Sequence, residues 1–463
     1  MTTNVPSERV LSTLNRDGTR NFLHPKLARG RFLTRRRIVG YTLIVLFVLL
    51  PRIRIGGRPA LLIDLISREV SAFGAVFRPS EGFLLALLGL SVVATVFLVT
   101  ALFGRVWCGW GCPQTVYLEL VFRPIERLFE GRGAHRKPTF LRRAGKLVVF
   151  TGLAFALSNV FLAYFVGTDR LETWVFESPL DHIGGFTVVM VVTALMLFDF
   201  GYFREQMCIV TCPYGRLQSV LLDRQSLIVG YDTKRGEPRT RLKKSLPVVQ
   251  GGACVDCSAC VSVCPTGIDI RDGLQMECIG CAQCIDACDA VMDKLNRPRG
   301  LIRYTSQDEL AGLGRHLLRV RTMIYPALLA VAIAGLVFKT TTRADTEIWV
   351  DRITGPAFVE LPDGKVSSQL RLKIENRTDA RQSYRVELVE PAVGKLRSAL
   401  PTWDAAAHKP IDVPLFVDLP RDAFVRGEVH ARVRVSHDPG PAGGGFAKIM
   451  ELTLFGPDGG TSR

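Results

Sequence analysis

Long uncharged apolar stretches alternate with basic polar ones along the first 340 residues. Period-two alternation then takes over. About 20 apolar residues cross a bilayer, and five stretches are read as spans: Ile38–Pro51, Gly82–Gly104, Leu147–Thr168, Ile183–Phe203 and Thr322–Phe338. The first is short and ends near Arg52 and Arg54, the fourth carries Asp199, and the fifth contains Pro326. Between the first two, Ala60–Phe77 is amphipathic and reads as a segment lying in the membrane interface. From Thr340 onward, runs such as Gln369-Leu-Arg-Leu-Lys-Ile-Glu and Val429-His-Ala-Arg-Val-Arg-Val alternate strictly. Pro362-Asp-Gly-Lys, Asn376-Arg-Thr-Asp and Pro439-Gly-Pro punctuate them. That pattern predicts a small all-β domain of immunoglobulin-like type.

The basic residues orient the spans. Arg35, Arg36 and Arg37 precede the first, and Arg105, Arg123, Arg127, Arg142, Arg143 and Lys146 fall between the second and third. Arg315, Arg319 and Arg321 precede the fifth. The positive-inside rule then puts the N-terminus and the segment before the fifth span in the cytoplasm, and the β domain outside. Only the Arg52–Ser80 loop, with its five arginines, runs against this assignment. The net charge of +16 is accounted for by these flanks, which argues against nucleic acid as a partner. The predicted parts are a cytoplasmic segment 1–37, four helices over 38–203, a cytoplasmic region 204–321, a fifth helix 322–339 and a periplasmic domain 340–463.

All twelve cysteines lie between Cys108 and Cys288. Such clustering points to redox or metal chemistry in a reducing compartment rather than to a disulfide scaffold. Eight form the bacterial two-cluster ferredoxin run, Cys254-x2-Cys257-x2-Cys260-x3-Cys264-Pro265 followed by Cys278-x2-Cys281-x2-Cys284-x3-Cys288. In that run the fourth cysteine of each repeat serves the other cluster. Cys254, Cys257, Cys260 and Cys288 are therefore assigned to one 4Fe-4S cluster, and Cys264, Cys278, Cys281 and Cys284 to a second, in a module over about 248–296. Structural zinc instead favours separated cysteine pairs. Asp289 stands where the repeat calls for proline and brings an acid near a cluster. Gly251, Gly252, Ala259, Gly280 and Ala282 are read as sites where backbone amides approach the sulfurs.

The other four cysteines repeat a second motif. Trp107-Cys108-Gly109-Trp110-Gly111-Cys112-Pro113-Gln114 follows the second span, and Met207-Cys208-Ile209-Val210-Thr211-Cys212-Pro213-Tyr214 follows the fourth. A C-x3-C spacing within a helix puts both sulfurs on one face, and the proline marks a helix boundary. Two facing pairs would present four thiolates at the membrane edge, suited to Cu(I), zinc or an iron–sulfur cluster, or to dithiol–disulfide cycling. Met207 is a candidate thioether ligand. Trp107 and Trp110 read as interface anchors. Asp199 is either a functional intramembrane acid or a partner of Arg105 or Arg204, and Glu119 is a solvated or salt-bridged charge. No two of the seven histidines pair within spans as haem ligands would, and no G-x-G-x-x-G follows a strand; haem, flavin and nicotinamide find no support.

Taken in order, these motifs resemble the cytochrome c oxidase accessory proteins of the CcoG/FixG/RdxA type. The likeness runs over nearly the whole chain. It implies a multi-pass bacterial inner-membrane protein with two 4Fe-4S clusters that reduces Cu(II) to Cu(I) and assists assembly of a cbb-type oxidase. By that resemblance Cys108, Cys112, Cys208 and Cys212 bind or reduce copper. It also implies partners among oxidase assembly factors or a copper transporter or chaperone, with electrons from an unidentified cytoplasmic donor. An electron-transfer subunit feeding a periplasmic reductase, and a non-catalytic redox sensor, are the alternatives.

Overall fold

The computed structural model describes residues 12–13, 19–55, 58–65, 69–77, 82–131, 139–240, 251–314, 319–342, 344–352, 358–378, 380–406, 409–438 and 445–457. Pro439-Gly-Pro and the start of the expected ferredoxin segment, 248–250, lie outside these residues. The chain divides into two compact units, Met1–Thr340 and Thr341–Arg463.

Among the described residues of the first unit, four helices are long and apolar enough to cross a membrane: Gly82–Phe103, Phe140–Val166, Ile183–Phe203 and Thr322–Thr341. Side chains such as Phe83 and Val331 are 64% and 70% exposed on them. Apolar surface of this extent is stable only against hydrocarbon. The first expected span is a helix too, Arg31–Leu49. Arginines occupy its first turns, however, and its apolar part begins at Ile38, leaving about 18 Å at 1.5 Å per residue. It is therefore not among the four helices that length and composition single out, and its N-terminal half belongs to the cysteine region described below. The amphipathic stretch Ala60–Phe77 is a β-meander, Leu61–Asp64, Glu69–Ala72 and Ala75–Phe77. β-branched residues and the Phe73-Gly74 turn, both at positive φ, favour the hairpin. Ion pairs Arg54–Asp169 and Arg170–Asp64 join this meander to the segment after the third long helix.

At the other end of the helices, strands Ile228–Tyr231 and Ile302–Thr305 pair antiparallel and bracket the eight-cysteine segment. Its core joins Val229, Tyr231, Ile285, Met292, Leu301 and Ile302 to Cys254, Cys260 and Cys288. Helix Gln283–Lys294 packs on the helix that starts at Arg31. There the carboxylate of Asp286 accepts the backbone amides of Phe32 at 3.1 Å and Leu33 at 2.8 Å. These are orphan donors of a helix start, which an oxygen acceptor normally satisfies from within the same segment. Asp286 does so from about 250 residues away, tying the ferredoxin segment to the first helix.

The second unit is two antiparallel sheets. One runs Lys395–Ser398, Pro410–Pro420, Lys365–Asn376, Thr346–Arg352, with Phe358–Glu360 also on Lys365–Asn376. The other runs Trp403–Ala405, Gln382–Glu390, Glu428–His437, Phe446–Phe455. Alternation places Leu372, Ile374, Val413, Leu415, Val433 and Val435 in one shared core. Pro362-Asp-Gly-Lys forms the expected turn, with Gly364 at φ +77 and Leu361 N–H donating to Lys365 O at 2.8 Å.

Candidate metal centres

Each half of the eight-cysteine segment wraps three cysteines around a point by the same backbone device. Asp256 and Ser258 flank Cys257 at φ +48 and +52, while Gly280 and Ala282 flank Cys281 at φ +66 and +62. Left-handed residues alternating with right-handed ones turn successive N–H groups inward, making a concavity for negative charge. The amides of Gly280, Gln283 and Val261 accordingly face the sulfurs of Cys278, Cys281 and Cys260. Asp256 and Ser258 give no signal in the sequence, because only glycine announces positive φ. Gly251 and Gly252 do something other than expected. A Cβ on Gly252 would meet Gly236 O at 2.2 Å, so these glycines let two backbone segments cross, away from the sulfurs.

Two small cavities of about 20 Å³ each result. Cys254, Cys257, Cys260 and Cys288 line one, with Arg271. Cys264, Cys278, Cys281 and Cys284 line the other, and Cys260 touches it too. Burial pushes the Cys260, Cys278 and Cys281 thiols up to about 11 and Cys288 to about 12. Arg271, Arg105 and Arg36 oppose this at Cys260, Cys278 and Cys281 respectively. Four crowded sulfurs, inward amides and nearby guanidinium groups fit a cationic iron core held by thiolates. Cys257 alone among the twelve is exposed. Asp289, the departure from the repeat, is buried; its carboxylate accepts from Gly300 N–H at 3.0 Å and lies 3.8 Å from Arg31.

The two C-x3-C-P motifs share the same backbone hydrogen bonds at their cysteines. Cys108 and Cys208 donate N–H to the carbonyls of Arg105 and Glu205, both at 3.1 Å, and Cys112 and Cys212 to those of Trp107 and Met207, at 2.9 and 2.8 Å. The expected single helical face is not what brings the sulfurs together. Cys112 and Cys212 are extended, at ψ 125 and 112, and Pro113 and Pro213 open the next helices. The residue before proline is pushed out of the helical region, so each motif is a helical turn, a break and a new helix start. The two pairs nonetheless lie near each other: Cys108 and Cys208 each feel Cys112 and Cys212. Burial first, and then these neighbours, push both thiols up to about 12. Ionising the set without a cation is therefore unfavourable, and a soft metal ion removes that penalty.

Gln218, fully buried, orients the site. Its Oε1 accepts from Cys108 Sγ at 3.1 Å and its Nε2 donates to Tyr214 Oη at 2.7 Å, which in turn bonds Thr100 at 3.0 Å. Gln218 stands in the stretch after Cys212, one helical turn beyond Tyr214, a spacing that could have flagged it. Glu119 is buried and ion-paired with Arg123. Asp199 bonds neither arginine side chain; it accepts from Gln114 Nε2 at 3.1 Å.

The four-cysteine loops abut the second cavity. Gly109 lies so close to the Ile279–Cys281 backbone that a Cβ would meet Cys281 N at 2.8 Å. Arg36 donates to Gly109 O at 2.6 Å, and Trp110 Nε1 to Tyr304 Oη at 3.0 Å, so Trp110 ties the two loops together. Arg105 sits beside both Cys108 and Cys278. Below them, Arg123, 2% exposed, bonds Glu119, Glu205 at 3.1 Å and the carbonyl of Pro265 at 3.5 Å. Arg123→Met would strand the buried Glu119 carboxylate and take one of three arginines from Glu205, and is expected to cost about 3–5 kcal/mol, read as a lowered denaturation midpoint of the solubilised protein.

The fold and its cysteines define a membrane-embedded iron–sulfur electron-transfer protein. Family profiles agree: a 4Fe-4S dicluster domain matches residues 203–307, a 4Fe-4S binding domain residues 85–132, and the immunoglobulin-like fold at the C-terminus of FixG residues 336–446. The RdxA protein of Cereibacter sphaeroides is 32% identical over 92% of this chain and 96% of its own. The nitrogen fixation protein FixG of Rhizobium meliloti is 34% identical over 88% of each. A crystal structure of a FixG-related protein from Vibrio parahaemolyticus covers 24% of this chain and 96% of its own, at 13% identity and a TM-score of 0.20. The chain belongs to the FixG/RdxA family.

Proposed function

We propose that the chain reduces Cu(II) to Cu(I) at Cys108, Cys112, Cys208 and Cys212, and so assists copper delivery to a cbb-type cytochrome c oxidase during its assembly. The observation that carries this reading is that the two half-buried cysteine pairs lie near each other beside the second ferredoxin cavity, where burial pushes the Cys108 and Cys208 thiols up to about 12. Thiolates favour Cu(I) over Cu(II), so the same residues that bind the ion bias it toward reduction. Gln218 holds the Cys108 sulfur in place, and burial keeps water from the reduced ion. Cys254, Cys257, Cys260 and Cys288 would hold one 4Fe-4S cluster, and Cys264, Cys278, Cys281 and Cys284 the other. When bound, the clusters take up and release single electrons. Exposed Cys257 makes the first cavity the side that a cytoplasmic donor protein reaches.

The membrane is the bacterial inner membrane in this reading. Arg36, Arg105, Arg123 and Arg127 gather at the cysteine end of the helices, which favours a cytoplasmic placement of that end. The C-terminal domain is then periplasmic, where it would meet an oxidase assembly factor or a copper transporter or chaperone. A second reading has an observation in its favour: the 4Fe-4S binding profile spans Cys108 and Cys112, so the four cysteines would hold a further cluster.

Elemental analysis with EPR on anaerobically purified protein separates the two. Wild type is compared with the variant in which Cys108, Cys112, Cys208 and Cys212 are all alanine. About eight irons in both, with copper lost only from the variant, is expected. Iron that is higher in wild type and falls to about eight in the variant would replace copper by a third cluster.

A further inference from the structure

A cavity of about 730 Å³ lies beside the four cysteines, among the first, third and fourth long helices counted from Arg31. That volume is within the range of ligand sites, about 300–1,000 Å³. Its walls are apolar, with Phe47, Leu157 and Phe161 among them, and on one side Leu195 and Phe198, which are 60% and 53% exposed on the hydrocarbon-facing surface. Asp199, Gln114 and Tyr117 make the cavity polar at one place. The Asp199 carboxylate accepts from Gln114 Nε2 and has no ion pair among the described residues. The nearby cations are committed elsewhere: Arg204 to Glu126 and Glu205, and Arg105 to the Gly215 carbonyl. The Tyr117 hydroxyl is buried and has no partner among the described residues. Gly111, Met207 and Thr211, the residues preceding Cys112, Cys208 and Cys212, line the same cavity.

We propose that this cavity binds a membrane hydroquinone that serves as a second electron donor, an assignment that rests on the copper reading above. The ligand must be largely apolar, must enter from lipid, and must carry separated polar oxygens. A hydroquinone with an isoprenoid tail meets all three requirements. A phospholipid does not, because its phosphate would face the Asp199 carboxylate. The ring sits one residue from three of the sulfurs, so electrons have a short way to the copper. The reaction balances as one hydroquinone plus two Cu(II) giving one quinone, two Cu(I) and two protons. Both O–H bonds break, each Cu(II) gains one electron at the cysteines, and the protons leave one after the other through the Asp199 carboxylate to water. Tyr117 bonds the second ring oxygen and fixes the ring's orientation.

The test uses decylubiquinone and the solubilised full chain with its iron content checked. Quenching of tryptophan fluorescence should show saturable binding to wild type, weakened at least tenfold by the cavity-filling Val192→Trp. Decylubiquinol should then bleach the EPR signal of protein-bound Cu(II). In Asp199→Asn that rate should fall at least tenfold while reduction by dithionite is unchanged. Absence of saturable binding, equal binding by Val192→Trp, or equal hydroquinone-driven rates in Asp199→Asn and wild type would each overturn the proposal. If neither donor reduces bound Cu(II) in wild type, the copper reading and the donor role fall together. Saturable binding lost in Val192→Trp would still uphold the quinone site.

Discussion

Replacing Cys108 and Cys208 together by alanine is expected to slow the reduction of Cu(II) at least about a hundredfold, while the iron of the eight-cysteine segment stays in place. Loss of residues that only orient a metal ligand costs 10–100-fold, and this variant removes two of four proposed ligands outright. It takes one sulfur from each C-x3-C-P motif, so neither motif keeps a pair. Both cysteines lie in short turns held by backbone hydrogen bonds to Arg105 and Glu205. Alanine is compatible with those turns, and the fold is expected to persist. The pH dependence has a definite sign. Burial holds both thiols near 12, so a bound ion must displace protons, and copper affinity rises with pH across the neutral range. The alanine variant should lose that slope along with the activity. Stopped-flow reduction of Cu(II) with a colorimetric Cu(I) chelator reads both effects. Full activity in the variant would remove copper from these residues.

The sequence is most legible where chemistry requires fixed spacing. The eight-cysteine run and the paired C-x3-C-P motifs can be read because ligands to one centre must come from adjacent turns of the chain. Strict alternation around Leu372 and Val433 likewise announces the sandwich, since a one-residue slip would turn its core outward. What the sequence hides is what distant segments do to each other. Asp286 looks like a surface acid of a short helix, yet it satisfies the start of a helix about 250 residues earlier. Arg36 and Arg105 read as topology signals because local composition cannot show that they lie against Cys281 and Cys278. The C-x3-C spacing suggests one helical face, but proline at the following position breaks the helix at Cys112 and Cys212. The two pairs come near each other because the two broken motifs are neighbours in the fold. The first span is the least legible for a quantitative reason, since its arginines leave only Ile38–Leu49 as an apolar run.

Removing the iron is expected to unfold the ferredoxin segment and leave the C-terminal domain folded. The segment has little else to hold it. Cys254, Cys260 and Cys288 belong to its hydrophobic core, and apart from helix Gln283–Lys294 the described regular structure from Cys254 to Cys288 is two short turns of helix, Ala259–Ser262 and Ile270–Asp272. Asp256, Ser258 and Ala282 take left-handed conformations that cost non-glycine residues about 1–3 kcal/mol each. Without iron, the thiols around each cavity lose the bonds that offset those costs. Metal binding to a structural thiolate site contributes on the order of 10 kcal/mol, comparable with the whole stability of a typical domain. The C-terminal domain contains no cysteine and builds its own core from Val366, Leu372, Leu415 and Val433. After oxidative removal of iron in the presence of a chelator, hydrogen exchange should be fast in peptides from 254–305 and remain slow in 365–376 and 428–437. Persistent protection across 254–305 would mean that the strand pair Ile228–Tyr231 and Ile302–Thr305, with its buried side chains, holds the segment without iron. Loss of protection in both regions would mean that the C-terminal domain depends on the first unit for its stability.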